Sequence, residues 1–267
     1  MTHRRPVRHR GRAVVRPRGP LALLAVLLVA LATFLGGAPT PTALSGPSAT
    51  QSAPKQLCER QDGYTSWDPE ASPDYYRVVG TAVVDVDVAA GTVRYEVLDD
   101  LGRTGRAMAK VTYDMMEAGS ARERGDISSL HPSGWGHNAE VTIANPGARD
   151  YHGALYNRSH LVAKSLGGAD AQENLVCGTR TQNVGDNQGQ DGGMAYTEGL
   201  ARTWLAAHPD GAVFYSATPV YEGTELLCRS VIVDVRSSDN SLDLEVEVYN
   251  AALGFDVDYA TGEFRAS

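Results

Sequence analysis

Lysine is nearly missing from this chain: Lys55, Lys110 and Lys164 stand against 21 arginines. The skew reads as GC-rich coding and carries no function. Acidic residues are absent from residues 1–53, which hold seven arginines between Arg4 and Arg18. The remainder, 54–267, keeps 17 of the 24 basic side chains against all 32 acidic ones, a net charge near −15. Such a body repels a polyanion through its mean field, which excludes a general nucleic-acid coat protein. Cysteine is scarce, with only Cys58, Cys177 and Cys228, and no Cys-x-x-Cys or His-x-x-x-His spacing occurs. A zinc site is therefore disfavoured. No internal repeat is visible. Intrinsic disorder is excluded as well, because 42% hydrophobic residues and 28 glycines is ordinary globular composition.

A long membrane-spanning run is also lacking. The longest apolar segment, Leu21–Leu35, is broken only by Thr33 and falls short of the about 20 residues that a full span needs. It follows a basic head and precedes a small-residue stretch, the three parts of a secretory signal. Residues 1–37 thus read as a signal peptide or as a retained N-terminal membrane anchor. The twin Arg4-Arg5 lacks the context of a folded-export signal. Residues 38–60 form a Pro/Ser/Thr/Ala-rich linker, and 61–267 form one folded domain. Either leader places that domain outside the cytoplasm, secreted or on the extracellular face of the membrane. There one disulfide is expected among three cysteines. Cys177–Cys228 is favoured, since both lie in the presumed core and Cys58 lies near its start. None of the three has a base beside it, so a structural reading wins over a catalytic one.

Strand signals dominate from Tyr76 onward. Alternating valines over Val78–Val88 and a turn at residues 89–92 lead into Val93–Leu98, and Ala107–Tyr113 follows. Residues 118–150 read as an irregular excursion rich in Gly, Pro, Ser and Asn. Leu161–Leu166 is helix-like and stops at Gly167-Gly168, while Asn174–Cys177 reads as a strand. Met194–His208 has the best helical pattern. Three strands, Val213–Val220, Leu227–Val235 and Leu242–Tyr249, complete a meander. The class is α+β, with a central antiparallel β-sheet and helices on it.

Candidate chemistry gathers around one histidine. His131, His137, His152 and His208 have no suggestive neighbours, and His152 reads as structural. His160 ends the run Tyr156-Asn157-Arg158-Ser159-His160-Leu161 at a strand–helix junction. Such a junction holds a side chain rigidly and leaves its tip exposed, as a general base requires. Arg158 offers a planar cation suited to phosphate. Asn174, Asn183 and Glu198 offer oxygen atoms of the kind hard cations accept. Glu198 could equally be a solvated residue on the outer face of its helix. Trp135 and Trp204 read as core residues rather than base-stacking platforms.

The segment from Asn157 to Gly168, Asn-Arg-Ser-His-Leu-Val-Ala-Lys-Ser-Leu-Gly-Gly, resembles the Asp/Asn-Arg-Gly/Ser-His signature of the DNA/RNA non-specific endonuclease family. The secreted DNA-entry and streptodornase types are the members it is most similar to. The likeness runs on through Glu173–Gly185 and Gly192–Glu198, and covers roughly residues 76–260. Asn157 and Ser159 replace the commoner Asp and Gly of the motif. The family does not typically place cysteines at positions 177 and 228, which also favours their pairing.

The resemblance implies a ββα-metal (His-Me finger) core within 61–267 and a Mg²⁺ cofactor for which Mn²⁺ can substitute. It implies that His160 is the general base, that Asn183 is the direct metal ligand and that Glu198 places the cation through its waters. Asn174 and Asn157 would support the site, with Arg158 among the catalytic groups. An upstream arginine holds the scissile phosphate in the family; Arg122 and Arg124 lie in the right region, and Arg180 lies beside the site. The implied reaction is sequence-non-specific hydrolysis of DNA, with RNA left open, to 5′-phosphate ends. No protein partner is inferred. The rival readings are a silent nucleic-acid-binding protein that keeps the fold, and a phosphodiesterase of small nucleotides. A groove gripping phosphates on so acidic a body should lose its hold early as salt rises. Cleavage rates at subsaturating DNA should therefore fall steeply and linearly on log–log axes between about 50 and 200 mM salt.

Overall fold

The computed structural model describes residues 66–146, 149–185 and 191–267. The leader, the linker and Cys58 lie outside the described residues. Among the described residues no helix is long and apolar enough to cross a membrane. In chain order the elements are β1 (Tyr76–Gly80), β2 (Thr92–Tyr95), β3 (Ala107–Thr112), α1 (Tyr113–Ala121), β4 (Glu140–Ile143) and β5 (Tyr151–Ala154). Then follow β6 (Tyr156–His160), β7 (Leu175–Thr179), α2 (Arg180–Val184), α3 (Met194–Ala207), β8 (Ala212–Val220) and β9 (Ser230–Ser237). The chain closes with β10 (Asp243–Tyr249), β11 (Phe255–Val257) and β12 (Phe264–Ala266).

Six strands form one antiparallel sheet in the order β1-β10-β9-β8-β3-β2. Alternation along the strands sends Ala107, Ala109, Val111, Val213, Tyr215 and Ala217 to one face, where α1 and α3 cover them. From α3 come Met194, Ala201 and Leu205; from α1 comes Met116. The opposite face holds Met108 and Phe214, which pack with Val88. A second core, built on Ile143, Leu155, Tyr156, Cys177 and Leu227, lies under β4, β5 and the β11–β12 hairpin.

The meander β8–β9–β10 and helix α3 match the sequence expectation. The expected strand Val78–Val88 ends at Gly80, and its hairpin to the next strand does not form. β1 and β2 lie at opposite edges of the sheet instead. Past Gly80 the backbone donors of Ala82 and Val83 are taken by carboxylates, Asp243 Oδ1 at 2.9 Å and Asp234 Oδ1 at 2.7 Å, so no ladder continues. The expected helix Leu161–Leu166 is reduced to one 3-10 turn, Lys164–Leu166, that ends at left-handed Gly167. Helix α1 occupies the end of an expected strand and the start of an expected irregular stretch, with Thr112 capping it by accepting from the Met115 N–H.

The expected Cys177–Cys228 bridge is not formed. Both residues are buried free thiols. The Cys177 sulfur faces the Gly134 carbonyl at 4.0 Å, and the Cys228 sulfur faces the Asn250 amide at 3.9 Å. Asn250 instead ties the two backbones, since its Nδ2 donates to the Cys177 carbonyl at 3.0 Å and the Cys228 carbonyl at 2.8 Å. Burial pushes both thiols up, Cys228 to about 12, so neither is a thiolate at neutral pH.

One close approach joins α1 to the 3-10 turn. A Cβ on Gly119 would lie 2.4 Å from the Lys164 carbonyl oxygen, a backbone atom that cannot move aside cheaply. Gly119→Ala gains about 1 kcal/mol of helix propensity but overpacks a contact worth about 1–3 kcal/mol. Thermal unfolding should show a Tm lower by a few degrees, and an unchanged or raised Tm would contradict this close packing.

Candidate active site

The site is built on a β-hairpin and the short helix that follows it. β6 and β7 pair antiparallel, with His160 opposite Leu175 at the end closed by the 161–174 connection. At the other end β7 runs directly into α2, whose first turn is capped by Thr179 accepting from the Gln182 N–H at 3.0 Å. His160 and α2's Asn183 thus come from the ends of one compact ββα unit. The start of β6 is pinned from outside: the Asn138 side chain donates to the Tyr156 carbonyl and accepts from its N–H, both at 2.8 Å.

A cavity of about 590 Å³ opens along this unit. It gathers Asn157, Arg158, His160 and Asn183 with Glu198 of α3, together with Arg124 and Arg180. Two expected residues line no part of it. Arg122 lies nearby, with its guanidinium on the Gly168 carbonyl. Asn174 is fully buried beneath. Its Oδ1 accepts from Val162 N–H, and its Nδ2 donates to the Val162 and Ala169 carbonyls, each at 2.9 Å.

The cations differ in how committed they are. Arg158 donates through Nε to the Leu130 carbonyl and through Nη2 to that of Ser128. Its plane also lies 4.1 Å from the centre of Trp135. Two of its five N–H donors therefore clamp the 128–135 loop, while the side chain also lines the cavity. Arg180 is half-buried against the Tyr151 ring, and burial pulls its pKa down. Arg124 lines the cavity from the segment after α1. Lys164 and Arg202 bring the basic residues on the wall to five, against two carboxylates, Asp170 and Glu198. The cavity is locally positive on a negative body.

Its titratable groups are displaced from their ordinary values. Burial lowers the His160 pKa, and the cations Arg124 and Arg122 add to this; only the hydrogen bond to Asp170 and its charge oppose it. Imidazole is therefore the neutral form at neutral pH. Burial lifts Glu198 to about 7, although Arg202, 3.6 Å away, pulls the other way. The carboxylate is incompletely compensated by the protein alone. A bound cation beside it would supply the missing charge. Asn183 Oδ1, which accepts from Ser159 Oγ at 3.2 Å, faces the same space. Oxygen donors without a cluster of three or more His, Cys, Asp or Glu among the described residues suit a hard ion that keeps most of its waters. The residues present fit such an ion.

Sequence reasoning missed Asp170, whose Oδ1 lies 2.9 Å from His160 Nε2. A carboxylate ten residues past the histidine and just beyond Gly167-Gly168 was the available signal. Arg202 was equally legible, one helical turn after Glu198.

Comparison with known proteins agrees with this geometry. The family described as DNA/RNA non-specific endonuclease matches residues 85–239. A deoxyribonuclease of Streptococcus dysgalactiae subsp. equisimilis is 32% identical over 232 residues, covering 75% of this chain and 70% of that protein. Among solved structures, the Sda1 nuclease with bound zinc ion superposes with a TM-score of 0.70 at 33% identity, covering 75% of this chain and 100% of the other. NucA from Streptococcus agalactiae, with magnesium bound, shares the fold at a TM-score of 0.56 and 24% identity, over 70% of this chain and 84% of its own. A match over more than half of the sequence, carried by the ββα unit that holds His160 and Asn183, makes this chain an endonuclease of the DNA/RNA non-specific endonuclease family.

Proposed function

We propose that the protein is an exported, Mg²⁺-dependent endonuclease that hydrolyses DNA without regard to sequence. The observation that carries this reading is the single cavity in which His160, Asn183 and Glu198 converge within a basic wall. Those groups address phosphate and solvent rather than base edges, so sequence is not read. Mn²⁺ offers the same preference for oxygen donors and would substitute.

His160 removes the proton from the attacking water. Its buried, neutral imidazole is the form that task requires. Arg124 and Arg180 face the cavity and hold the phosphate, while Arg158 keeps the 128–135 loop in place beneath them. Asn183 would ligate the metal directly, and Glu198 would accept hydrogen bonds from its waters. When bound, the ion supplies charge neutralisation at the pentacoordinate phosphorus and at the leaving 3′ oxygen. Departure of the 3′ oxygen leaves a 5′-phosphate end. Asn174 and Asn157 support the site, the first by fixing the turn behind His160 and the second with a buried Nδ2 that has no protein partner among the described residues. The leader would deliver the domain to the outside of the cell, free or on the membrane surface.

A plasmid-nicking assay tests the reading. Wild-type protein should nick with Mg²⁺ and stop with EDTA, and His160→Ala should lose about 10²- to 10⁴-fold in rate. Undiminished nicking by His160→Ala would overturn the mechanism, and cleavage confined to mononucleotide diesters would overturn the substrate. A pH series gives an independent check. The proton on Glu198, lifted to about 7, competes with the cation. Raising Mg²⁺ should accordingly move the acid limb of kcat/KM to lower pH. It should stop where His160 protonates, below the imidazole's ordinary value of about 6.5. A limb that ignores the metal concentration would contradict the role of Glu198.

A further inference from the structure

We propose that Asp170 is the positioning residue of the site, fixing His160 in the tautomer whose free base is Nδ1. This rests on the reading of His160 as the general base. The two side chains meet at 2.9 Å, Nε2 to Oδ1. An ionised carboxylate can only accept, so Nε2 carries the ring proton. The lone pair of the neutral ring then sits on Nδ1, and no group among the described residues hydrogen-bonds that nitrogen. His160 lines the cavity, so the base is offered where water and phosphate enter.

The carboxylate is itself held in place. Its Oδ2 accepts the Gly125 N–H at 3.3 Å. Gly125 can come this close because it has no side chain: a Cβ there would stand 2.7 Å from the same oxygen. The segment bearing Gly125 is tied to the turn bearing Asp170 by two further links. Arg122 donates to the Gly168 carbonyl, and Lys164 donates to the Gly119 carbonyl at 3.0 Å and to that of Arg122. Despite the arginines nearby, no ion pair joins Asp170 to a guanidinium among the described residues; its side-chain partner is the imidazole. A surface acid fulfilling only a solubility role would be solvated or paired with one of those arginines. Asp170 is instead aimed at the ring from a braced position. As His160 takes a proton from water, the same carboxylate faces the imidazolium that forms and lowers its energy.

The test needs no metal for its first readout. ¹⁵N NMR of imidazole-labelled protein in EDTA at about pH 8, above the imidazole's ordinary pKa, should show His160 as a single Nε2–H tautomer. Asp170→Ala should show both tautomers, with kcat under Mg²⁺ falling about 10- to 100-fold and KM changing less than about twofold. Gly125→Ala, which displaces Oδ2 without removing charge, should shift the tautomer in the same direction with a smaller loss of kcat. It also carries the test should Asp170→Ala not fold. Wild-type kcat in Asp170→Ala, or a lost kcat with the Nε2–H tautomer intact, overturns the inference. His160→Ala run alongside separates the two readings. Its full activity sinks the general base, whereas an inactive His160→Ala beside a fully active Asp170→Ala sinks only the positioning role of Asp170.

Discussion

One buried amide holds the turn that follows His160 shut. Asn174 satisfies Val162 on both its N–H and its carbonyl and reaches Ala169 as well, while its own backbone carbonyl accepts from Leu161. The 161–174 connection is too short and too poor in regular structure to hold itself. Without the amide, the buried N–H and carbonyl of Val162 would lack these partners, at a cost of about 1–3 kcal/mol for each group. With it, the chain leaves β6 in one direction, and both His160 and Asp170 have fixed origins. The remainder of the site follows from this fastening. The Gly168 carbonyl is presented to Arg122, the Lys164 side chain reaches back under α1, and the segment carrying Arg124 is brought to the cavity rim.

Charge is organised on two scales that oppose each other. The domain as a whole is acidic, but the wall of the cavity carries five basic residues against two carboxylates. Many of the body's carboxylates are spent internally. Asp234 and Asp243 cap the backbone beyond β1, Glu247 pairs with Arg77, and Asp99 with Arg103. The ion pairs cancel within the net charge, so the acidity that an approaching polyanion meets comes from the remaining carboxylates. Attraction is confined to a patch within a Debye length of the site, about 8–10 Å at ordinary ionic strength.

The parts of the fold written in short-range patterns were legible in the sequence. The strand-like runs Val213–Val220, Leu227–Val235 and Leu242–Tyr249 pointed to β8, β9 and β10, and the apolar spacing of Leu200, Trp204 and Leu205 pointed to α3. What failed were features decided by distant partners. Val78–Val88 has the composition of a long strand, yet Asp234 and Asp243, some 150 residues away, take its donors after Gly80. Leu161–Leu166 has helical composition, yet the Asn174 side chain claims the Val162 backbone first. The cysteine pairing failed for a similar reason, because Asn250 lies between two backbones that proximity alone would have joined. At the cavity, the convergence of His160, Asn183 and Glu198 was readable because a local motif and a helix carry them. Asp170 was not, since its meaning depends on the turn that aims it.

The pairing of β1 with β10 sets Tyr76 against Val248, 172 positions along the chain. The buried Glu247 finds its cation, Arg77, only through that same pairing. A polypeptide that is synthesised or threaded through a channel N-terminus first must hold β1 unpaired until nearly its last residues emerge. The hairpin bearing His160 ends at Thr179, but the six-stranded sheet on which α3 and Glu198 rest includes β10 as well. Timing is thereby built into the topology: the six-stranded sheet closes only once β10 is available to pair with β1.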